Sequence, residues 1–354
     1  MSTKIQLTDD TWNPVSGCTR IAEGCRNCYA ERLTATRLRH QPKYQGLAVM
    51  QPGGPRWTNE VRTHPDELRK PLSWRKPRKV FVCDMSDLFH EAVPFDFIDQ
   101  VFAVMALCPH LTFQVLTKRP ERMAEYLIAD RGPYKFEADH TTSQNWIVMA
   151  RDDVSPGGDH PSNTHRLRSM PWPLPNVWLG TSLSTQKEAD ANIPHLLKCP
   201  AAVRFLSVEP LIEAVDLPLR PSINRIQRER FVGYSEATRI ADAERIHWVI
   251  TGGESGPTGR PCNIAHLRSI VQQCKAANVP CFVKQLGAKT YQRCPNCGKN
   301  TGGLPRGMLD LCSPDHEALG HECIFRDPKG GDPAEWPEDL RVREFPKSAE
   351  GGAA

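Results

Sequence analysis

A chain of 354 residues, 39% hydrophobic and 24% charged, is long enough to bury a large core, either as one α/β barrel or as two domains. A formal net charge of +4 and a pI of about 8.4 admit a nucleic-acid partner without requiring one. No apolar run approaches a membrane span, the opening Met1 to Ile5 is polar, and the 13 cysteines, an odd number, gather in Cys-x2-Cys pairs. A membrane protein and a secreted disulfide scaffold are thereby disfavoured, and metal ligation in a reducing cytoplasm is expected.

In chain order, Lys4 to Leu7 reads as a weak first strand that leads into a cysteine loop, followed by a helix from about Asn27 to Arg39. Lys79 to Asp84 is a buried strand, and Pro94 to Leu107 a helix with Phe95, Ile98, Phe102 and Met105 on one face. Strand Leu111 to Leu116, helix Pro120 to Ile128, strand Val177 to Gly180, helix Gln186 to Leu197 and strand Val203 to Val208 come next. Strand His247 to Thr251, helix Ile264 to Ala277 and strand Cys281 to Val283 close the series. Strands alternating with helices predict a parallel sheet, and seven strands fit a barrel, complete or open. The barrel is expected over residues 1–288 with insertions near 41–78, 130–175 and 218–245, the last of them helical. A metal-binding insertion over 289–326 and a tail over 327–354 follow.

Cys18, Cys25 and Cys28 fall within eleven residues. Three thiolates on one loop can hold three corners of a cubane iron–sulfur cluster and leave the fourth iron open to a reactant. Zinc competes, since Cys-x2-Cys is also a zinc half-site, but no further His or Cys follows before His40. The local count favours the cluster. A second group, Cys294 and Cys297 followed by Cys312, His316, His321 and Cys323, reads as a zinc ribbon, favoured over an auxiliary iron–sulfur cluster, in which Cys312 and Cys323 complete a four-thiolate site or His316 or His321 replaces either one. It is either a staple for a loop without its own core or a contact surface. Cys108, Cys199, Cys274 and Cys281 lie in apolar segments and read as buried hydrophobes.

Polar residues gather where the predicted strands end: Asp84, Ser86 and Asp87; Lys118 and Arg119; Ser207 and Glu209; Gly252, Gly253 and Glu254; Lys284. In parallel α/β barrels the carboxyl ends of the strands carry the reactive groups, and the cysteine loop would share that rim. Between Arg62 and Lys79, seven basic residues (with Arg69, Lys70, Arg75, Lys76 and Arg78) face only Asp66 and Glu67, with Trp57 and Trp74 nearby. Such a stretch is either a solvated loop or a phosphate-neutralising, base-stacking surface.

Seven motifs in order resemble a phage-associated family of the radical S-adenosylmethionine superfamily, first named from mycobacteriophage proteins of unknown function. They are Thr11-Trp-Asn-Pro-Val-Ser-Gly-Cys18, Gly24-Cys-Arg-Asn-Cys-Tyr-Ala-Glu31, Met85-Ser-Asp-Leu-Phe89, Phe113-Gln-Val-Leu-Thr-Lys-Arg-Pro120, Pro175-Asn-Val-Trp-Leu-Gly180, Arg204-Phe-Leu-Ser-Val-Glu-Pro210 and Val249-Ile-Thr-Gly-Gly-Glu-Ser-Gly256. The spacing Cys-x6-Cys-x2-Cys departs from the superfamily's commonest Cys-x3-Cys-x2-Cys and matches this family. The resemblance implies a partial (β/α) barrel of radical-SAM type, a 4Fe–4S cluster on Cys18, Cys25 and Cys28, and S-adenosylmethionine on the open iron. It further implies reductive cleavage to a 5′-deoxyadenosyl radical, with flavodoxin or ferredoxin as reductant.

On that reading Asp84, Ser86 and Asp87 take the methionine end of the cofactor, Gly252 and Gly253 allow its close approach, and Ser207, Glu209 and Glu254 serve ribose or substrate. Lys118, Arg119 and Lys284 would hold a carboxylate or phosphate. Cys83 beside the site is a hydrogen-atom donor or, more simply, a buried thiol. The phage context implies modification of a DNA base, such as thymidine hypermodification by isomerase, lyase or transferase chemistry in the host cytoplasm. The alternative is a non-catalytic, zinc-dependent nucleic-acid-binding protein on a barrel scaffold.

Overall fold

Seven parallel strands alternate with helices in the computed structural model, which describes residues 6–129, 147–148, 150, 154, 172–221, 223–230, 232–256, 258–293, 300–302, 327 and 329–346. The strands are β1 (Asp10–Trp12), β2 (Arg78–Val82), β3 (Leu111–Thr117), β4 (Val177–Leu183), β5 (Val203–Val208), β6 (Trp248–Gly252) and β7 (Cys281–Gln285). Their spatial order is their chain order, and each pairs in parallel with the next. Parallel neighbours need a crossover of a dozen residues or more. Helices supply it: α1 (Tyr29–Ala35), α2 (Phe95–Leu107), α3 (Pro120–Ile128), α4 (Gln186–Lys198), the pair α5 (Ile223–Arg230) and α6 (Tyr234–Ala243), and α7 (Ile264–Ala277) follow β1 to β6 in turn. The sheet curls into a half-barrel.

Most expected elements lie where the apolar pattern puts them, the helical insertion after β5 included. The first strand does not. Lys4 and Ile5 lie outside the described residues, Gln6 and Leu7 form a turn, and pairing with β2 begins at Asp10, with Asp10 opposite Val80 and Trp12 opposite Val82. Trp12 decides the register, because its ring is fully buried beside Phe113 at 5.8 Å and its indole N–H donates to the Glu67 carbonyl at 2.8 Å. The first helix is also shorter than expected. It stops at Ala35, where the Leu38 amide closes back on the Leu33 carbonyl at 2.9 Å.

Period-two alternation gives the sheet two different faces. Val80, Val82, Phe113, Val115, Leu179, Leu206, Val208, Val249 and Val283 pack outward, in one cluster with the buried faces of α2, α3, α4 and α7. Trp178, Val203, Phe205, Trp248, Ile250 and Phe282 point inward and form a second, smaller cluster. These inward residues stand near the strand starts, so the half-barrel has an aromatic floor. Trp248 is its centre, with ring centroids of Trp178, Phe205, Phe282 and Phe345 at 6.0, 5.8, 6.4 and 5.5 Å. Gly180 leaves room for Phe205, whose ring would lie 2.5 Å from a Cβ there.

The C-terminal segment seals this end. Glu344 N–H donates to the Cys281 carbonyl at 2.8 Å, Trp248 Nε1 donates to the Glu344 carbonyl at 2.8 Å, and Lys79 of β2 lies 4.0 Å over the Phe345 ring. Among the described residues no helix is long and apolar enough to cross a membrane.

Truncating the floor at Trp248→Ala should cost about 3–5 kcal/mol, the range for deleting a buried large aromatic, and lower the urea midpoint accordingly. At the same end, His247 Nδ1 accepts the Arg204 amide at 3.0 Å. Burial, then Arg204 and Arg245, push its imidazole down from 6.5 to about 4. The unfolded chain therefore takes up this proton first. The stability contributed is complete above pH 6.5 and disappears as the pH falls through about 4. A His247→Gln variant should show a flatter pH dependence of its unfolding midpoint across that window.

Candidate functional site

The cysteine loop lies across the carboxyl ends of the strands, and polar contacts hold it there. Beyond β1 it turns at Gly17, whose φ of +85° is costly for other residues and where a Cβ would sit 2.1 Å from the Glu60 carbonyl. Thr19 Oγ1 meets Arg119 Nη2 at 2.7 Å and His90 Nε2 at 3.0 Å, which ties the loop to the ends of β3 and β2. Glu23 contacts Arg260 at 3.4 Å through its carboxylate, and its amide donates to Glu188 of α4 at 3.1 Å. At Gly24 a Cβ would fall 2.5 Å from Ser184 Oγ and 3.6 Å from Lys118 Cε, so the loop backbone rests directly on the ends of β4 and β3. Asn27 donates to Glu254, beyond β6, at 2.9 Å, and Tyr29 donates to the Asp84 carbonyl beyond β2. Behind the loop, Arg20 pairs with the fully buried Glu31, which also accepts the Trp57 amide at 2.7 Å.

Beneath the loop, the inward positions turn from aromatic to polar. Lys118 Nζ donates to Ser182 Oγ, and Ser182 Oγ donates to the Glu209 carbonyl at 3.4 Å. The Glu209 carboxylate accepts from Lys284 Nζ at 2.9 Å and from Gln285 Nε2 at 3.2 Å. The structure thus brings together three of the predicted residues, Lys118, Glu209 and Lys284, from β3, β5 and β7. Ser207, two residues before Glu209 on the same face, is buried beside them.

Other expected residues are occupied by the protein itself. Glu254 accepts two Arg260 side-chain hydrogen bonds, the Arg260 amide and Asn27, all at 2.8–2.9 Å. Burial alone would raise its carboxyl, but the hydrogen bonds from Arg260 and Asn27 outweigh it and leave the carboxyl below its ordinary value. It is a clasp between the loop and β6. Gly252 and Gly253 admit β7 closely: a Cβ would come within 2.9 Å of the Gln285 carbonyl at the first and 2.1 Å of the Leu286 carbonyl at the second.

Asp84 holds Asn13 at 2.6 Å, and burial raises its carboxyl; Ser86 Oγ donates to the Val15 carbonyl at 2.8 Å. Asp87 accepts the Phe89 amide, Thr117 Oγ1, the Lys118 amide and Arg119 at 2.7–3.2 Å. Cys83 has φ of 59° and is buried, and burial pushes its thiol up to about 12, which fits a packed thiol.

Cys18, Cys25 and Cys28 are free and half-buried, and Cys18 and Cys28 pack against a small apolar cluster that includes Ala30, Leu47 and Met85. Burial, then Asp87, push the Cys18 thiol up to about 12 against the opposing pull of Arg119; burial also raises Cys28. Among the described residues no group of three or more His, Cys, Asp or Glu stands where it could hold a single metal ion. A cubane asks for something else, because each of its thiolates binds a different iron and the ligands do not converge on one point. Three free thiols close together on a tethered loop above a polar lumen fit that donor requirement. Cys294, Cys297, Cys312 and Cys323 lie outside the described residues, although strands Thr290–Arg293 and Asn300–Gly302 pair on either side of the first two.

The expected stacking surface is not offered by its tryptophans. Trp57 is buried, and Trp74 packs on the core with Arg78 5.1 Å over its ring. Arg78 pairs with Asp10 at 2.9 Å, and Arg62 with Glu60 at 2.7 Å. Burying an indole in the core gains more than holding it ready in water. Asn27 and Arg260 carry no sequence signal, since no spacing links residues 227 positions apart such as Asn27 and Glu254.

The clasp is testable. Glu254→Gln keeps the shape but removes the charge, and should cost about 1–2 kcal/mol. Amide hydrogen exchange over residues 17–28 should rise while the aromatic floor stays protected. Because the folded carboxyl is held low, its contribution is complete above the ordinary value of 4.5 and is lost as the pH falls below it.

No curated protein and no solved structure matches this chain. The family described as protein of unknown function (DUF5131) matches residues 2–311, most of the chain and all of the half-barrel, and the chain therefore belongs to that family.

Proposed function

We propose that the protein is a radical S-adenosylmethionine enzyme. The observation that carries this reading is the placement of three free thiols, within eleven residues, on a loop tethered over the carboxyl rim of a seven-stranded parallel half-barrel. Cys18, Cys25 and Cys28 would hold a 4Fe–4S cluster, and S-adenosylmethionine would take its open iron. When bound, the pair supplies one-electron chemistry able to open an unreactive C–H bond.

The chain's own groups do the rest. The clasps at Glu254, Glu23 and Thr19 hold the loop over the lumen, and the aromatic floor closes the other end against water. Lys118 has no carboxylate partner among the described residues and offers a cation to an anionic group. The Glu209–Lys284 pair, with Ser182 and Ser207, lines the space where a substrate would be oriented. Zinc on the second cysteine group would be a structural addition.

For the substrate we infer a base in a DNA strand. Residues 20–79 carry fourteen Lys and Arg against five Asp and Glu, a net of +9 in a chain whose total is +4. Arg32, Arg37 and Arg39, on and just after α1, are exposed beside the loop. These residues would meet the phosphates.

Anaerobic reconstitution with iron and sulfide tests the reading. The wild type should retain iron and, with flavodoxin or dithionite as reductant, release 5′-deoxyadenosine from S-adenosylmethionine. Cys25→Ala should abolish that release, whereas Cys297→Ala should chiefly lower stability. A wild type that retains zinc but no iron would instead favour a zinc-dependent nucleic-acid-binding protein. Oligonucleotide affinity should fall with salt, and Arg37→Glu with Arg39→Glu should flatten that slope.

A further inference from the structure

We propose that Arg119 is the positioning residue that seats Cys18 and sets the reduction potential of the cluster whose corner Cys18 would hold; this rests on the cluster reading above. Arg119 precedes α3 at the end of β3, and its side chain is only 4% exposed. The guanidinium divides itself among four groups. Nε meets both Glu91 oxygens at 3.0 Å, Nη2 reaches Thr19 Oγ1 at 2.7 Å, and Nη1 lies 3.2 Å from Asp87 Oδ2 and 3.9 Å from Cys18 Sγ. One side chain thus holds a thiol and the residue after it. A planar fork can do this, whereas an ammonium offers one point charge. Its neighbour Lys118 turns the other way, into the lumen.

The charges around Cys18 are unequal in effect. Glu91 is 64% exposed, so water screens it, while Asp87 is 7% exposed. The field at the sulfur is therefore a contest between one buried cation and one buried anion. Reduction adds a negative charge to a cluster. A cation beside one of its thiolates stabilises the reduced form, and an anion there destabilises it. Arg119 and Asp87 should consequently move the potential in opposite directions, which no shared role in folding would do.

The experiment compares anaerobically reconstituted wild type, Arg119→Met, Arg119→Lys and Asp87→Asn by iron content and by a reductive titration followed by electron paramagnetic resonance, without S-adenosylmethionine. Arg119→Met should make reduction about tenfold less favourable, a shift of about 59 mV to lower potential for one electron. Asp87→Asn should shift upward, and Arg119→Lys should fall between Arg119→Met and wild type. If Arg119→Met loses its iron, the seating role is supported and the Arg119→Lys and Asp87→Asn potentials decide the rest. Iron-loaded variants that keep the wild-type potential, or that shift in the same direction, overturn this proposal alone. A wild type that binds no iron overturns the cluster reading and this proposal together.

Discussion

A loop that carries three thiols across the mouth of a half-barrel has little hydrophobic packing beyond that of Cys18 and Cys28 on a small apolar cluster, so charged hydrogen bonds must hold the rest of it in place. The structure meets that constraint at several points. Thr19 is taken by Arg119 and His90, Glu23 by Arg260, Asn27 by Glu254, and Arg20 by the fully buried Glu31. Several of these partners are buried or nearly so, where each charge needs its counterpart because the loss of one would strand the other. Such bonds are strong in a low-dielectric setting and demanding in geometry. They confer position rather than net stability, and position is what a metal-binding loop requires.

Below the loop the half-barrel changes character along its axis. Each strand contributes inward residues every second position, and the same rule that stacks Trp178, Phe205 and Trp248 at one end brings Ser182, Ser207 and Glu209 to the other. The apolar end supplies the packing energy that lets the polar end remain polar. Closure by Phe345 and Glu344 matters for the same reason, since an open sheet edge and an exposed tryptophan cluster would both be liabilities.

Much of this was legible in the chain itself. The strand–helix alternation, the consecutive strands and the cysteine loop after the first strand all follow from local pattern. Errors arose where a long-range contact overrode that pattern. Trp12, by docking beside Phe113, places the strand that pairs with β2 at Asp10–Trp12, beyond the expected Leu7. Trp57 and Trp74, adjacent to basic residues in sequence, went into the core or under Arg78. Gly252 and Gly253 suggested room for a cofactor, whereas the space at each is filled by the backbone that follows β7 or ends it.

The sequence alone determined which elements form and that three thiols share one loop, because apolar periodicity and covalent spacing are local properties. Only the tertiary structure decided which polar groups meet. Arg119 and Cys18 are 101 residues apart and Asn27 and Glu254 are 227 apart, and the curl of the sheet brings each pair into contact. A side chain's donors and acceptors are written in its chemistry, but its partner depends on where every intervening strand has been laid.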